Sequence, residues 1–286
     1  MSSPPQHRPA AGADVGASLI KLALRDDRGR LALECFASDA TGQAAERIHD
    51  VAPGRVAVTG CGAPQLARQL PGKAFRIDEF EAWAVGARAC LQREPPAPDR
   101  FLMVTIGTGT SALLVEPTGA RRVGGTALGG GTIVGLAGPL LGTTDFDAVA
   151  ELAAGGDRSQ VDLLVGDIYE DDFELSGALN AASFGKLARG ATSRPEDRAH
   201  ALMGLVGENV GMICAALAQH EGVDRVVFGG GSLRRNAALG GILRAMCQVR
   251  GLLAEILPDG EYTGALGALT AAEQGPDRQG SRATRR

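Results

Sequence analysis

Apolar positions along the chain recur with two periods, one of strands and one of helices. Residues 12–24 are apolar around Asp14 and Gly16, and residues 31–38 give a second strand. Arg55–Thr59 and residues 73–77 are further short β-rich runs. Helical spacing covers residues 64–70 and 78–92. The polar, proline-bearing stretch EPPAPDR at 94–100 then interrupts the pattern and marks a boundary between lobes. Strands resume at Phe101–Ile106, 111–116 and 120–124, with Pro117-Thr118-Gly119 as a hairpin turn. Helices are expected over 132–141, Phe146–Ala154 and 195–221. In the last of these Ala199, Leu202, Met203, Val206, Val210, Ile213, Cys214 and Leu217 keep one buried face. A strand over 225–228, a helix, a strand over 252–257 and a helix over 263–273 close the pattern.

Each half thus opens on strands joined by a tight turn and continues with helices and further strands. Two α/β lobes with a cleft between them fit this better than one doubly wound sheet. The expected lobes are 12–100 and 101–274, with 1–11 and 275–286 as disordered tails.

Composition narrows the class. Hydrophobic residues are 44% and charged residues 22%, the balance of a chain that buries a core. Aromatics at 4% make that core aliphatic. With 29 basic and 33 acidic residues the net charge is −4, which argues against a nucleic-acid backbone partner and gives no membrane-surface signal. No apolar run reaches the ~18 residues of a membrane span, and the N-terminus has no signal-peptide core. The five cysteines form no C-x-x-C pair and read as reduced thiols of a cytoplasmic protein. None of the four histidines sits in a glycine-rich turn, so a histidine triad or zinc site is not expected.

Glycine is the anomaly: 41 residues against an ordinary ~7%, without a collagen repeat. Clusters of it follow strands, where α/β proteins meet their ligands. In DVGASLIK, Asp14 ends a strand and can hold a metal-bound water. Gly16, Ser18 and Lys21 offer N–H groups, a hydroxyl and positive charge to phosphate. An ordinary hairpin with a capping aspartate reads equally well from these residues alone. TIGTGTS, 105–111, fits G-x-G-x-x-A at Gly107, Gly109 and Ala112. The residues that follow form a strand, which removes the helix N-terminus a dinucleotide fold needs. Its hydroxyls, Thr108 and Ser111 among them, suit a polar substrate or phosphate.

Arg121 and Arg122 precede the tract Gly129-Gly130-Gly131-Thr132, which stands directly before a helix. Its exposed N–H groups are a natural anion site, with a flexible loop as the plain alternative. Gly229-Gly230-Gly231-Ser232 joins a strand to a helix and suits a nucleotide base or ribose. No Walker A sequence occurs, so an ATP enzyme here is not of the P-loop kind. Asp78, Glu79 and Glu81 open a helix. Acids there oppose the helix dipole, and one carboxylate is also what phosphoryl transfer to an alcohol needs.

Taken in order, DVGASLIK, DEFEAWAVGA, TIGTGTS, RRVGGTALGGGTIVGL, GDRSQVDLLVGDIY, AASFG and EYTGALGAL resemble the signatures of the type II pantothenate kinases, over residues 12–273. The resemblance implies an actin-like (ribonuclease H-like) ATPase fold with an interlobe nucleotide cleft. It also implies a homodimer, to which the helix from Pro195 contributes, and transfer of the γ-phosphate of ATP, with Mg²⁺, to pantothenate. Carried over by position, Glu79 matches the catalytic carboxylate and Arg122 the arginine near the transferred phosphate. Thr108 and Ser111 match the pantothenate pocket. Asp14, Gly16, Ser18 and Lys21 match the phosphate and metal loop, and Gly129, Gly130, Gly131 and Thr132 the nucleotide phosphate loop. Ala17 and Ser18 stand where glycine and threonine are usual. An N-acetylhexosamine kinase of the same fold and a non-catalytic ATP-binding regulator are the competing readings.

Overall fold

The computed structural model describes residues 8–51, 53–70, 72, 74–92, 98–169, 177 and 179–275. The chain opens with β1 (Ala10–Val15), β2 (Leu19–Arg25) and β3 (Leu31–Ala37). It continues through α1 (Thr41–Val51), β4 (Arg55–Thr59), α2 (Ala63–Arg68), β5 (Ala74–Arg76) and α3 (Glu79–Leu91). Then come β6 (Phe101–Ile106), β7 (Thr110–Glu116), β8 (Gly119–Thr126), α4 (Gly130–Leu141) and α5 (Phe146–Ala154). Short β9 (Leu163–Leu164), β10 (Asn180–Ala182) and α6 (Gly185–Ala188) lead to α7 (Pro195–His220). The last elements are β11 (Arg225–Gly229), α8 (Ala237–Val249), β12 (Leu253–Ile256) and α9 (Thr263–Gln274).

One five-stranded sheet runs β3-β2-β1-β4-β5 and the other β12-β11-β6-β7-β8. Read from the opposite edge, the second repeats the order of the first: an antiparallel meander, then a crossover to two more strands. The duplication extends to detail. Gly60, one residue past β4, has φ +87°, and a Cβ there would lie 2.5 Å from the Val15 carbonyl. Gly230, one residue past β11, has φ +102°, and its Cβ would lie 2.4 Å from the Ile106 carbonyl. Only glycine turns the chain so sharply beside another strand's end.

The chain divides into two compact units. The first holds the chain to Met103, Leu113–Val123 and the chain from Leu257 on; the second holds Val104–Ala112 and Gly124–Ile256. The lobes expected in chain order, 12–100 and 101–274, differ from this at residues 101–103, at Leu113–Val123 and at the C-terminus. There α9 packs on β1 and α3 rather than with the residues before it. Ala10 and Ala11, expected in a tail, belong to β1. Residues 1–7 of that tail, residues 276–286 and residues 94–97 of the proline stretch lie outside the described residues.

In the first unit, strand alternation sorts the side chains of β1. Ala11, Ala13 and Val15 join Ile20, Leu22, Val56 and Val58 in a core with Ala44, Ala45 and Ile48 of α1 and Leu66 of α2. Gly12 and Asp14 face the other way. A Cβ on Gly12 would lie 2.1 Å from the Leu269 amide, so α9 lies directly on β1. In the second unit α7 packs on α8, α5 and α4, and Gly207 and Gly211 admit Ile242 and Met246 of α8. The helix is apolar enough to cross a membrane, with an 18-residue window at mean hydropathy 1.6, yet 61% of that window is buried. It is a core helix of its own unit, which accounts for the long apolar pattern.

Candidate functional site

In the first unit three strand ends bring together an acidic cluster. Asp14 is the penultimate residue of β1, and the register pairs it with Lys21 on β2 and Thr59 on β4. Paired residues point to the same face, the face on which α9 lies. Past β5 the Asp78 carboxylate caps α3, accepting from the Phe80 and Glu81 amides at 2.9 and 3.1 Å. That cap sets Glu79 as the first helical residue, half-buried.

Asp14 is 6% exposed. Burial pushes its carboxyl above the usual range, while the Lys21 ammonium and a hydrogen bond from the Trp83 indole pull it back. Burial likewise raises Glu79. The charges of Asp14 and Asp78 raise it further, and Lys21 opposes them. Glu79 therefore feels the charge of Asp14, and each acid holds its proton longer than a free carboxylate. Bare backbone walls them. A Cβ on Gly60 would lie 2.9 Å from Asp14 Oδ1, and one on Gly264 would lie 2.5 Å from Oδ2. At the hairpin turn the Gly16 amide donates to the Leu19 carbonyl at 3.0 Å, and Ser18 is exposed. A Cβ on Gly16 would lie 3.8 Å from Lys21 Nζ, so the ammonium sits beside the turn.

The second unit gathers three of the glycine clusters into one knot. The Gly107 carbonyl accepts both the Gly130 amide, at 2.8 Å, and the Ser232 hydroxyl, at 2.9 Å. The Gly131 amide donates to the Thr108 carbonyl at 2.9 Å, and the Thr110 hydroxyl to the Leu128 carbonyl at 2.7 Å. The Gly129 amide reaches the Thr132 hydroxyl at 3.4 Å. The expectation of exposed N–H groups at the start of α4 is therefore corrected. The amides of Gly129, Gly130 and Gly131 are spent on protein acceptors, because the β6–β7 turn lies across the helix start. Ser232, expected near a ribose, is buried with its hydroxyl on Gly107. Gly229 ends β11, and Gly230 and Gly231 make the turn beyond it. Thr108 is exposed and Ser111 half-buried on β7.

Arg122 stands exposed on β8, beside Arg121. The acidic cluster joins Asp14, Lys21 and Glu79; the knot joins Gly107, Thr108, Gly129, Gly130, Gly131 and Ser232. Sequence reasoning missed Thr59, whose buried hydroxyl has no hydrogen-bond partner among the described residues, and Trp83. Trp83 was within reach of it, since the chain's sole tryptophan lies one helical turn beyond Glu79 and so shares its face. Among the described residues no three His, Cys, Asp or Glu side chains gather as a metal-binding group.

The fold is that of the actin-like, sugar-kinase-like class. Two solved structures share the fold. The activator of the 2-hydroxyisocaproyl-CoA dehydratase from Clostridium difficile, with bound ADPNP, has a TM-score of 0.66 at 17% identity. The match covers 97% of this chain and 99% of that one. A ROK family glucokinase from Streptomyces griseus, in complex with glucose and AMPPNP, has a TM-score of 0.60 at 15% identity, covering 93% and 100%. Within the class, a family model described as Fumble matches residues 55–271. A type II pantothenate kinase of Bacillus cereus is 32% identical over 263 residues, 90% of this chain and 95% of that protein. The chain belongs to the type II pantothenate kinase family.

Proposed function

We propose that the chain transfers the γ-phosphoryl group of ATP to the terminal hydroxyl of pantothenate, giving 4′-phosphopantothenate for coenzyme A biosynthesis. One observation carries the chemistry: Glu79 is held at a helix start, half-buried, beside the buried acid Asp14. Family membership carries the choice of acceptor. Glu79 orients the acceptor hydroxyl and takes its proton, a task suited to a carboxylate whose proton affinity burial has raised. Arg122 offsets charge on the moving phosphoryl group, and Thr108 and Ser111 line the pantothenate site. The turn of Gly16 and Ser18, with Lys21 beside it, meets ATP phosphate. The Gly129–Thr132 segment braces the Gly107–Gly109 turn, whose backbone takes the same role in its unit. The backbone of Gly229, Gly230 and Gly231 meets the nucleoside.

The donor set also fits Mg²⁺. A buried carboxylate whose charge raises its neighbour's proton affinity is eased by a cation, and Mg²⁺ favours one or two carboxylates with waters and substrate phosphates over an all-protein cage. Asp14 would hold it through water, and bound there it would neutralise charge on the phosphates. A homodimer and a cytoplasmic setting belong to the same reading. Five free thiols suit that setting.

Coupled detection of ADP release tests the reading, with pantothenate offered against N-acetylhexosamines. Turnover with pantothenate is expected. Preference for a sugar, or no release with any acceptor, would overturn it. Arg122→Lys is expected to lower kcat/KM for pantothenate by roughly 10²-fold, because a point charge does not replace a planar fork of donors. Unchanged kcat/KM would remove Arg122 from the site.

A further inference from the structure

Trp83 borders the acidic cluster and has no role in the reading above. It lies on α3 one turn beyond Glu79, with its ring 5.9 Å from that of Phe80. The indole N–H lies close enough to the Asp14 carboxylate to lower its pKa as a donor would. Independent geometry fixes where they meet. A Cβ on Gly264 would lie 2.5 Å from Asp14 Oδ2 and 2.9 Å from Trp83 Nε1, so both atoms converge over the bare first turn of α9. The other carboxylate oxygen, Oδ1, lies against Gly60. An indole nitrogen donates and never accepts, so it can pair with the carboxylate but cannot itself ligate a cation. Replacing Gly264 by any other residue would drive a methyl or larger group between the two atoms.

Resting on the kinase reading above, we propose that Trp83 is a positioning residue. Its N–H engages Oδ2 of Asp14, fixes the carboxylate plane, and leaves Oδ1 for the hydrated Mg²⁺ of the nucleotide. The tryptophan is then coupled to metal–nucleotide binding without touching either ligand. This gives the sole tryptophan a role that its size alone does not, since an aliphatic side chain could fill the space between α3 and α9.

Trp83 also reports on its own site. Tryptophan emission of the full chain should change saturably as Mg²⁺ is added with ADP, and Asp14→Asn should abolish the change. Trp83→Phe keeps a ring and loses the donor. Its thermal stabilisation by ADP should need about tenfold more Mg²⁺ than wild type, the effect of losing one hydrogen bond to a charged group. Its melting temperature without ligand should stay near the wild-type value. A Mg²⁺ midpoint unchanged in Trp83→Phe would overturn the proposal and leave Trp83 a packing residue. So would an emission change that persists in Asp14→Asn; this arm stands even if Trp83→Phe does not fold. Both readouts use Mg²⁺ and ADP alone. An enzyme that phosphorylates some other acceptor would fail the pantothenate assay and still pass here, so the two failures are distinguishable.

Discussion

Glu79→Gln is expected to cut kcat by about 10²–10⁴ while leaving half-saturation by ATP nearly unchanged. The change keeps the side chain's shape and removes only its capacity to accept a proton. The helix start survives, because Asp78 and not Glu79 caps α3. The pH profile gives a second check. Burial and the neighbouring acids raise the Glu79 pKa, so the base form is complete only above the usual carboxylate range. The acidic limb of kcat/KM should therefore lie higher than for an exposed glutamate and should vanish in the variant. Stability moves the other way. A carboxyl whose folded pKa is raised favours the native state below its unfolded pKa and loses that contribution as pH rises through the folded value. At neutral pH the variant should be at least as stable as wild type. Near-full turnover with a normal melting temperature would remove Glu79 from the mechanism.

That glutamate was legible because its signals are local. A strand run, an aspartate cap and an apolar helix follow one another in the sequence, and the structure repeats the order as β5, Asp78 and α3. The DVGASLIK hairpin and α7 were legible for the same reason. By contrast α1 was missed: its buried residues Thr41, Ala44, Ala45 and Ile48 keep the helical spacing i, i+3, i+4, i+7, but three of the four are small or polar, so the apolar stripe is weak. The start of α4 was placed at Thr132, two residues past the observed start at Gly130, because glycine lowers helical signal.

The glycine clusters show where local reading fails. Eleven glycines lie between Val104 and Gly142, and sequence alone suggested phosphate contact for the clusters. In the structure, a Cβ on Gly129 would lie 2.8 Å from Gly109 Cα, and one on Gly131 2.8 Å from Thr108 Cγ2. Their space is filled by another segment of the same chain. Sequence reveals that a Cβ is missing but not what takes its place, since that neighbour is distant along the chain. Gly240 has the same kind of cause: a Cβ there would lie 2.8 Å from Ile256 Cδ1. The doubled strand order is hidden likewise, because Asp14-Val15-Gly16 and Thr105-Ile106-Gly107 share little beyond a β-branched residue and a glycine.

Gly267→Ala is expected to be among the most damaging single methyl groups in the chain. Helix propensity alone predicts a gain of about 1 kcal/mol, since alanine outranks glycine inside a helix. Packing decides otherwise. The new Cβ would lie 1.8 Å from the Ala82 carbonyl oxygen and 2.9 Å from the Gly86 amide, and a Cβ on Gly86 would lie 1.9 Å from the Thr263 carbonyl. These neighbours are backbone, so no rotamer change relieves the overlap and α3 must part from α9. A net loss of about 3 kcal/mol follows, the upper end for overpacking, or a fall in melting temperature of roughly 2–4 °C per kcal/mol. Gly135→Ala on α4 is the control, because a Cβ there meets nothing within 4 Å. It should raise stability by up to about 1 kcal/mol. The same crossing sets Glu79 and Trp83 of α3 beside Asp14 on β1 and Gly264 on α9. Parting the helices should therefore lower kcat even at temperatures where Gly267→Ala is fully folded. If that variant melts and turns over like wild type, α3 is not pinned to α9 by bare backbone, and the placement of Glu79 needs another cause.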